Sequence, residues 1–215
     1  QAKPFLQDMA ASIIEGAHET TDSLTEAALK DGVDALEVMD DGLIAGMAIV
    51  GIKFRENFIF VPEVLACARA MKAGMKHIEP ILSASGIAPP GKVIMGTVKG
   101  DLHDIGKNLC IMMLRGAGFE VIDLGVDTSP DEFIDAVEEH EPDIVGMSAL
   151  LTTTMPNMGR TIEAFIDADL RDEVKFMVGG APVTEEFADD MGADAYGDNA
   201  IEAVEIAKRL CGVSS

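Results

Sequence analysis

The chain has no tryptophan, only three cysteines, and 16 basic residues set against 38 acidic ones. Each shortage excludes something. A formal net charge of −22 repels phosphate backbones and anionic headgroups, so neither nucleic acid nor a membrane surface is an expected partner. Such an acidic surface serves either solubility or docking to a basic protein. Cys67, Cys110 and Cys211 are odd in number, widely spaced and contain no C-x-x-C pair, which suits a reducing, cytoplasmic setting. No apolar run reaches the roughly 18 residues that a membrane span needs, and no charged-then-apolar segment opens the sequence. What is present, 48% hydrophobic and 25% charged residues over 215 positions, is the composition of one large or two small globular domains.

Two grammars divide the sequence. Over residues 5–85, apolar positions recur every three or four residues in "FLQDMAASII", "SLTEAALKDG", "ALEVMDDGLIAGMAIVGIKF" and "VLACARAMKAGMKHIEPIL". That period predicts four amphipathic helices in a bundle. Ser23 with Glu26 is expected to form a capping box, Gly32 to follow a helix stop, and Pro62 to occupy a first turn. The stretch "SGIAPPGK" (85–92) breaks the pattern, giving a helical domain over 1–85, a linker over 86–91 and a second domain over 92–215.

From Lys92 onward, short runs rich in Val, Ile and Met alternate with helical patterns: "KVIMGTV", "EVIDLG", "DIVGMSA", "VKFMVGG" and "ADAYG" each precede one. Five such units predict a parallel, doubly wound, Rossmann-like sheet in the flavodoxin-like order 2-1-3-4-5. Its ligand crevice lies beyond the carboxyl ends of strands 1 and 3.

Three loops converge there: "GDLHDIG" after strand 1, "SALLTTTM" after strand 3 and "GGAPV" after strand 4. Asp101 and His103 are two apart, so in extended chain their side chains lean the same way. A carboxylate that accepts an imidazole N–H fixes its tautomer, the usual support of a metal-bound histidine. Ser148, Thr152, Thr153 and Thr154 add hydroxyls, although the threonines could equally cap the helix beginning near Met155. Gly179 and Gly180 remove side chains where a strand ends, which suits backbone passing against a bulky ligand.

Zinc wants about four protein donors, mostly Cys and His, and this mouth offers one histidine among aspartates. A phosphoryl-accepting domain of this fold wants an aspartate and a lysine where Ser148 and Gly197 stand. FMN needs no histidine beneath it. One well-aimed imidazole fits a metal whose equatorial positions a macrocycle already fills, either haem or a corrinoid, and an open crevice favours a corrinoid with its nucleotide tail. His18, His77 and His140 sit on predicted polar helix faces with no specific task, and the methionines read as core filler.

The spacing from "DLHDIG" through 41 residues to "SAL" and 28 more to "GG" resembles the signature of base-off, His-on cobalamin-binding domains. The helical half, especially "DGLIAGMAIVGIKF" and "FIFVPEVLACARAMKAG", resembles the cap of methionine synthase and of the corrinoid proteins of methylotrophic methyltransferase systems. The resemblance implies cobalamin or a related corrinoid as cofactor, with His103 as lower axial cobalt ligand. It implies that Asp101 orients His103, with Thr154 completing a proton relay where methionine synthase has a serine. Ser148, Gly179 and Gly180 would border the nucleotide tail. Gly100, Leu102, Asp104, Ile105, Gly106, Leu150, Thr152 and Ala200 would line the cofactor. In the cap, Phe54 and Val61 align with the apolar pair that shields the methyl face, although read without the resemblance both look like bundle core. Asp40 aligns with an acidic cofactor contact.

The implied function is a carrier subunit, not an enzyme by itself. It would take a methyl group from a donor-specific methyltransferase and deliver it to a second methyltransferase acting on tetrahydrofolate or a thiol, with a reductive activase as further partner. Methylated amines, betaines, methanol and aryl methyl ethers all remain open as donors. A cobalamin-dependent regulator shares the cap and motif. Its group often carries a tryptophan-containing cap, which this chain cannot form, and a DNA-binding segment, which is not recognisable here. A mutase fragment would lack the four-helix cap.

Overall fold

The computed structural model describes residues 2–86 and 88–213, so Ile87 of the expected linker lies outside the described residues, as do Gln1, Ser214 and Ser215. The chain separates into two compact units, one reaching Ala88 and including Gly116–Gly118, the other made of Pro89–Arg115 and the chain from Phe119 onward.

The first unit is helical. Helices α1 (Ala2–Ile14) and α2 (His18–Lys30) are followed by a rod of three pieces, α3 (Ala35–Glu37), a π-helical segment (Val38–Ile44) and α4 (Ala45–Arg55), and then by α5 (Val61–Ser85). Counting the rod once, these are the four helices that the periodicity predicts. Leu6, Met9, Ile13, Val38, Leu43, Met47, Val50, Val64, Met71 and Ile78 form its buried interior. Full burial of each such side chain contributes about 1.5–3 kcal/mol. Gly46 lets the rod approach α1 closely, since a Cβ there would sit 2.8 Å from Ile13 Cβ.

Helix ends bear out two local expectations and correct a third. Gly32, at φ +81, closes α2 with its N–H on Leu29 O while Val33 N–H reaches Ala28 O, the paired Schellman arrangement. Pro62 occupies the first turn of α5. Ser23, however, caps nothing: α2 already starts at His18, so Ser23 lies mid-helix and donates to Glu19 O at 3.0 Å. Glu26 pairs instead with Lys30 at 2.7 Å. A capping box does form in the second unit, between Ser129 and Glu132. His77 is also corrected: its Nε2 lies 2.9 Å from Asp22 Oδ1, so it ties α5 to α2.

The second unit holds five parallel strands, β1 (Lys92–Val98), β2 (Glu120–Thr128), β3 (Ile144–Ser148), β4 (Lys175–Gly179) and β5 (Ala195–Gly197), in the order β2-β1-β3-β4-β5. Between and after them run α6 (Ile105–Gly116), α7 (Pro130–His140), α8 (Pro156–Asp167), α9 (Glu185–Asp190) and α10 (Ala200–Leu210). On one face, Phe133 of α7, Met158, Ile162 and Phe165 of α8 and Ala188 of α9 pack on Ile94, Val145, Met147, Phe176 and Val178. Phe165 meets Phe176 edge-on, ring centroids 5.0 Å apart. The alternate strand residues Val93, Met95, Ile144 and Met177 are buried too, so the sheet is covered on both faces as its unbroken apolar runs require. The order reverses at β1, which places the crevice beyond β1 and β3. One strand differs from expectation: β2 continues past Gly125 to Thr128.

Candidate functional site

At the carboxyl edge of β1 the chain turns through Gly100, φ +82, into the loop that carries Asp101 and His103 before α6 begins. Asp101 has no exposed surface. Its Oδ1 accepts from His103 Nδ1 at 2.7 Å and from the His103 backbone N–H at 3.1 Å. Its Oδ2 accepts from Leu150 N–H at 2.8 Å, Leu151 N–H at 3.2 Å and the Thr154 hydroxyl at 2.7 Å. Burial alone would raise this carboxyl. The donors from Thr154, Leu150 and His103 outweigh burial and hold it well below the usual carboxylate range. An ionised Asp101 can only accept, so the proton between the pair sits on His103 Nδ1, and the lone pair of this tautomer is on Nε2. The imidazole is about half exposed, at 49% of its side chain.

Loops after β1 and β3 are thus joined through one carboxylate, which brings Asp101, His103, Leu150 and Thr154 together. Thr154 serves Asp101 and not α8, whose N-cap is Met155 without a side-chain cap bond. Thr152 is exposed, and Ser148 is half-buried beside Gly179 in the β3–β4 register. Gly179 and Gly180 meet protein backbone: a Cβ on Gly179 would lie 2.7 Å from Gly197 O, and one on Gly180, φ +134, 1.9 Å from Ala149 O. Backbone contact alone therefore demands glycine at both. Gly106 is the reverse case, because a Cβ there would meet nothing within 4 Å. Leu102 (71% exposed), Ile105 (74%), Leu150 and Leu151 form an apolar rim around the imidazole loop. Asp104, also exposed, bonds Asn108 Nδ2 at 3.1 Å in the first turn of α6. Ala200 is buried at the start of α10.

The remaining predicted residues lie in the helical unit. Asp40 sits in the π-helical segment, a form that recurs at functional positions, and burial together with Asp41 raises its carboxyl. Phe54 and Val61 are half-buried, neither core nor free surface. Near them Phe58 and Phe60 are well exposed, at 78% and 61%.

Sequence reasoning missed the residues that hold the loop by its backbone. Thr97 donates to His103 O at 2.9 Å, Asn157 Nδ2 to Lys99 O at 2.6 Å, and Asp127 accepts Gly100 N–H at 2.7 Å. It also missed Lys107, fully buried in α6 with its ammonium on Asp123 and Asn108. A lysine in the first turn of a largely apolar helix was the available signal.

One imidazole with a free Nε2, beside a carboxylate whose oxygens are already engaged, cannot enclose a bare ion. Among the described residues no group of three or more His, Cys, Asp or Glu could do so. The donor set, the apolar rim and the open Cβ direction at Gly106 fit a flat, bulky group that brings its own equatorial ligands to the metal.

A doubly wound sheet that offers a single carboxylate-held imidazole at its switch point, preceded by a helical unit, defines a cofactor-binding protein of flavodoxin-like architecture. The comparisons give it a family. B12 binding domains match residues 91–205 and 6–79, and the chain belongs to the B12-binding family of corrinoid proteins. Trimethylamine corrinoid protein 2 of Methanosarcina mazei is 46% identical over 195 residues, covering 90% of this chain and 89% of that one. A corrinoid protein of Desulfitobacterium hafniense is 38% identical over 211 residues, covering 97% and 98%. Among solved structures, the methanol:cobalamin methyltransferase complex of Methanosarcina barkeri matches 99% of this chain and 81% of its own with TM-score 0.88 at 30% identity. A cobalamin-binding protein of Desulfitobacterium hafniense matches 95% and 98% with TM-score 0.79 at 30% identity.

Proposed function

We propose that the chain is a corrinoid methyl carrier, the subunit that moves a methyl group between two methyltransferases. The observation that carries this reading is the 2.7 Å contact between His103 Nδ1 and Asp101 Oδ1, which commits the ring to presenting Nε2. Relatives named for trimethylamine and dimethylamine systems, at 46% and 41% identity, support the methyl-transfer context.

When bound, the corrinoid supplies a cobalt that accepts and gives up a methyl group. The chain's own residues do the rest. His103 Nε2 would hold the cobalt. Asp101 keeps the ring oriented, and Thr154 and the Leu150 and Leu151 N–H groups keep Asp101 ionised. A proton that arrives at Nε2 competes with ligation, so proton traffic at this ring is coupled to whether it ligates. Leu102, Ile105, Leu150 and Thr152 would line the cofactor, as would Gly100, Asp104 and Gly106. Ser148, Gly179 and Gly180 would border the nucleotide tail, and Ala200 would line the cofactor. In the helical unit Phe54 and Val61 would be the residues to exclude water from a bound methyl group, and Asp40 would be an acidic cofactor contact.

Donor recognition belongs to the partner methyltransferase. Acceptor recognition belongs to a second methyltransferase using tetrahydrofolate or a thiol, with a reductive activase restoring the active cobalt state in the cytoplasm. Among the described residues no helix is long and apolar enough to cross a membrane.

The test is reconstitution with hydroxocobalamin, reduction, and incubation with a methylamine or methanol methyltransferase and its donor. The expected result is retention of one corrinoid per chain and the absorption spectrum of a methylated corrinoid, lost again on adding a second methyltransferase with its acceptor. A chain that retains no corrinoid contradicts the proposal.

A further inference from the structure

Strand β2 does not stop where its apolar run ends. Gly125 and Asp127 both adopt left-handed backbone, at φ +82 and +57. Pairing with β1 slips between Met95 and Gly96 and again between Gly96 and Val98. Slips of this kind bend a strand and re-aim its side chains, and they recur beside functional sites. Here the bend brings Asp127 to the loop that carries Asp101 and His103. Its backbone N–H donates to Asp101 O at 2.9 Å, and its Oδ1 accepts Gly100 N–H at 2.7 Å. Its Oδ2 lies 3.2 Å from Lys99 Nζ. The Gly100 N–H and the Lys99 ammonium hold the Asp127 carboxyl below the usual range.

A non-glycine residue in left-handed backbone is uncommon, and aspartate and asparagine are among those that tolerate it. Such a residue persists where its surroundings enforce it, and it is a starting point for a functional hypothesis. Asp127 offers a donor and an acceptor to two consecutive residues, 100 and 101, at the point where the loop leaves β1. The next peptide groups carry the whole Asp101–His103 pair. A rotation at Gly100, the residue with the least steric restraint, would swing both side chains.

We propose that Asp127 is a positioning residue for His103: by clamping Gly100 and Asp101 it fixes the direction in which the Asp101–His103 pair presents Nε2. The proposal rests on the corrinoid-carrier reading. Asp127 acts through the backbone and does not touch the imidazole.

The test uses the full chain with two substitutions. Asp127→Gly keeps the left-handed backbone and its N–H but removes the acceptor. Asp127→Asn keeps an acceptor oxygen and the backbone tolerance but removes the charge. In the corrinoid-free protein, amide hydrogen exchange at Gly100 is expected to rise about tenfold in Asp127→Gly and about threefold in Asp127→Asn, the scale of one charge-assisted hydrogen bond lost or weakened. After loading with hydroxocobalamin and reduction to cobalt(II), electron paramagnetic resonance is expected to show the nitrogen-split, His-on fraction falling in the same order. Native Gly100 exchange together with full nitrogen splitting in a folded Asp127→Gly overturns the proposal. So does an Asp127→Asn as impaired as Asp127→Gly in both readings. Should Asp127→Gly not fold, Asp127→Asn decides alone, and native values in both readings overturn the proposal. If the unsubstituted protein retains no corrinoid, the carrier reading fails, while amide exchange still judges the clamp.

Discussion

Thr154 Oγ1 lies 2.7 Å from Asp101 Oδ2, while the other oxygen of the same carboxylate lies 2.7 Å from His103 Nδ1. The hydroxyl and the imidazole therefore communicate through one fully buried group. Every donor that Asp101 receives stabilises its charged form, and the charged form dictates which ring nitrogen carries the proton.

Asp101→Asn tests that dependence. The amide has one oxygen for two clusters of backbone donors, so its NH2 must oppose either the His103 N–H or the Leu150 and Leu151 N–H groups. The expected cost is about 1–3 kcal/mol from a buried unsatisfied donor, read by urea denaturation. Thr154→Val removes one donor and is expected to cost about 1 kcal/mol. A stable Asp101→Asn would contradict the hydrogen-bond assignment.

Two glycines separate protein packing from cofactor accommodation. Gly180→Ala would place a Cβ 1.9 Å from Ala149 O, so the corrinoid-free protein is expected to lose most of its stability. Gly106→Ala meets nothing within 4 Å and lies within α6, so the corrinoid-free protein should be unchanged or up to about 1 kcal/mol more stable. Hydroxocobalamin retention should nevertheless fall. Thermal melts without corrinoid and binding titrations with it distinguish the two, and undiminished retention in Gly106→Ala would show that the open direction is not used.

Lys107 and Asp123 predict an asymmetry. Lys107 is 2% exposed and Asp123 37%. Asp123→Ala strands a buried ammonium and should cost about 3 kcal/mol. Lys107→Met leaves a carboxylate that water can reach and should cost distinctly less. Burial raises the Asp123 carboxyl, but hydrogen bonds from Lys107 and Gly125 lower it further, for a net depression. A depressed carboxyl contributes stability above its unfolded value of about 3.9, and that contribution is lost as pH falls below it toward the folded value. Acid titration of stability should show a shallower loss over that range in Asp123→Asn than in the native chain.

The thiols give a chemical check on the second unit. Burial pushes the Cys110 thiol up to about 11. At pH 8 its alkylation by iodoacetamide should be roughly two orders of magnitude slower than that of an unfolded control, rising with pH. Alkylation at the control rate would mean that α6 opens readily.

The sheet order and the Asp101–His103 pair were legible because each rests on local grammar: apolar runs ended by glycine, and polar residues at loop positions that the topology sorts. The hydroxyl of Thr154 pointed toward Asp101 in sequence only through resemblance, because a helix cap was an equal use for it. Asp127 was not legible. Gly125 looked like a strand end, and nothing in "GVDT" tells that β2 continues through two left-handed residues to reach a loop 27 positions earlier. His77 was missed for a related reason, since its partner Asp22 lies 55 positions away on another helix. The needs of Gly179 and Gly180 were read as room for a ligand, whereas backbone contacts with Ala149 and Gly197 already require them. Long-range backbone satisfaction leaves little trace in a single sequence.

Whether His103 Nε2 holds the cobalt can be read from electron paramagnetic resonance of the cobalt(II) form. The hydroxocobalamin-loaded, reduced native protein is expected to show nitrogen superhyperfine splitting, with the cofactor's own base displaced. His103→Ala should retain the fold and lose the imidazole splitting. Splitting that survives unchanged in His103→Ala would contradict the account.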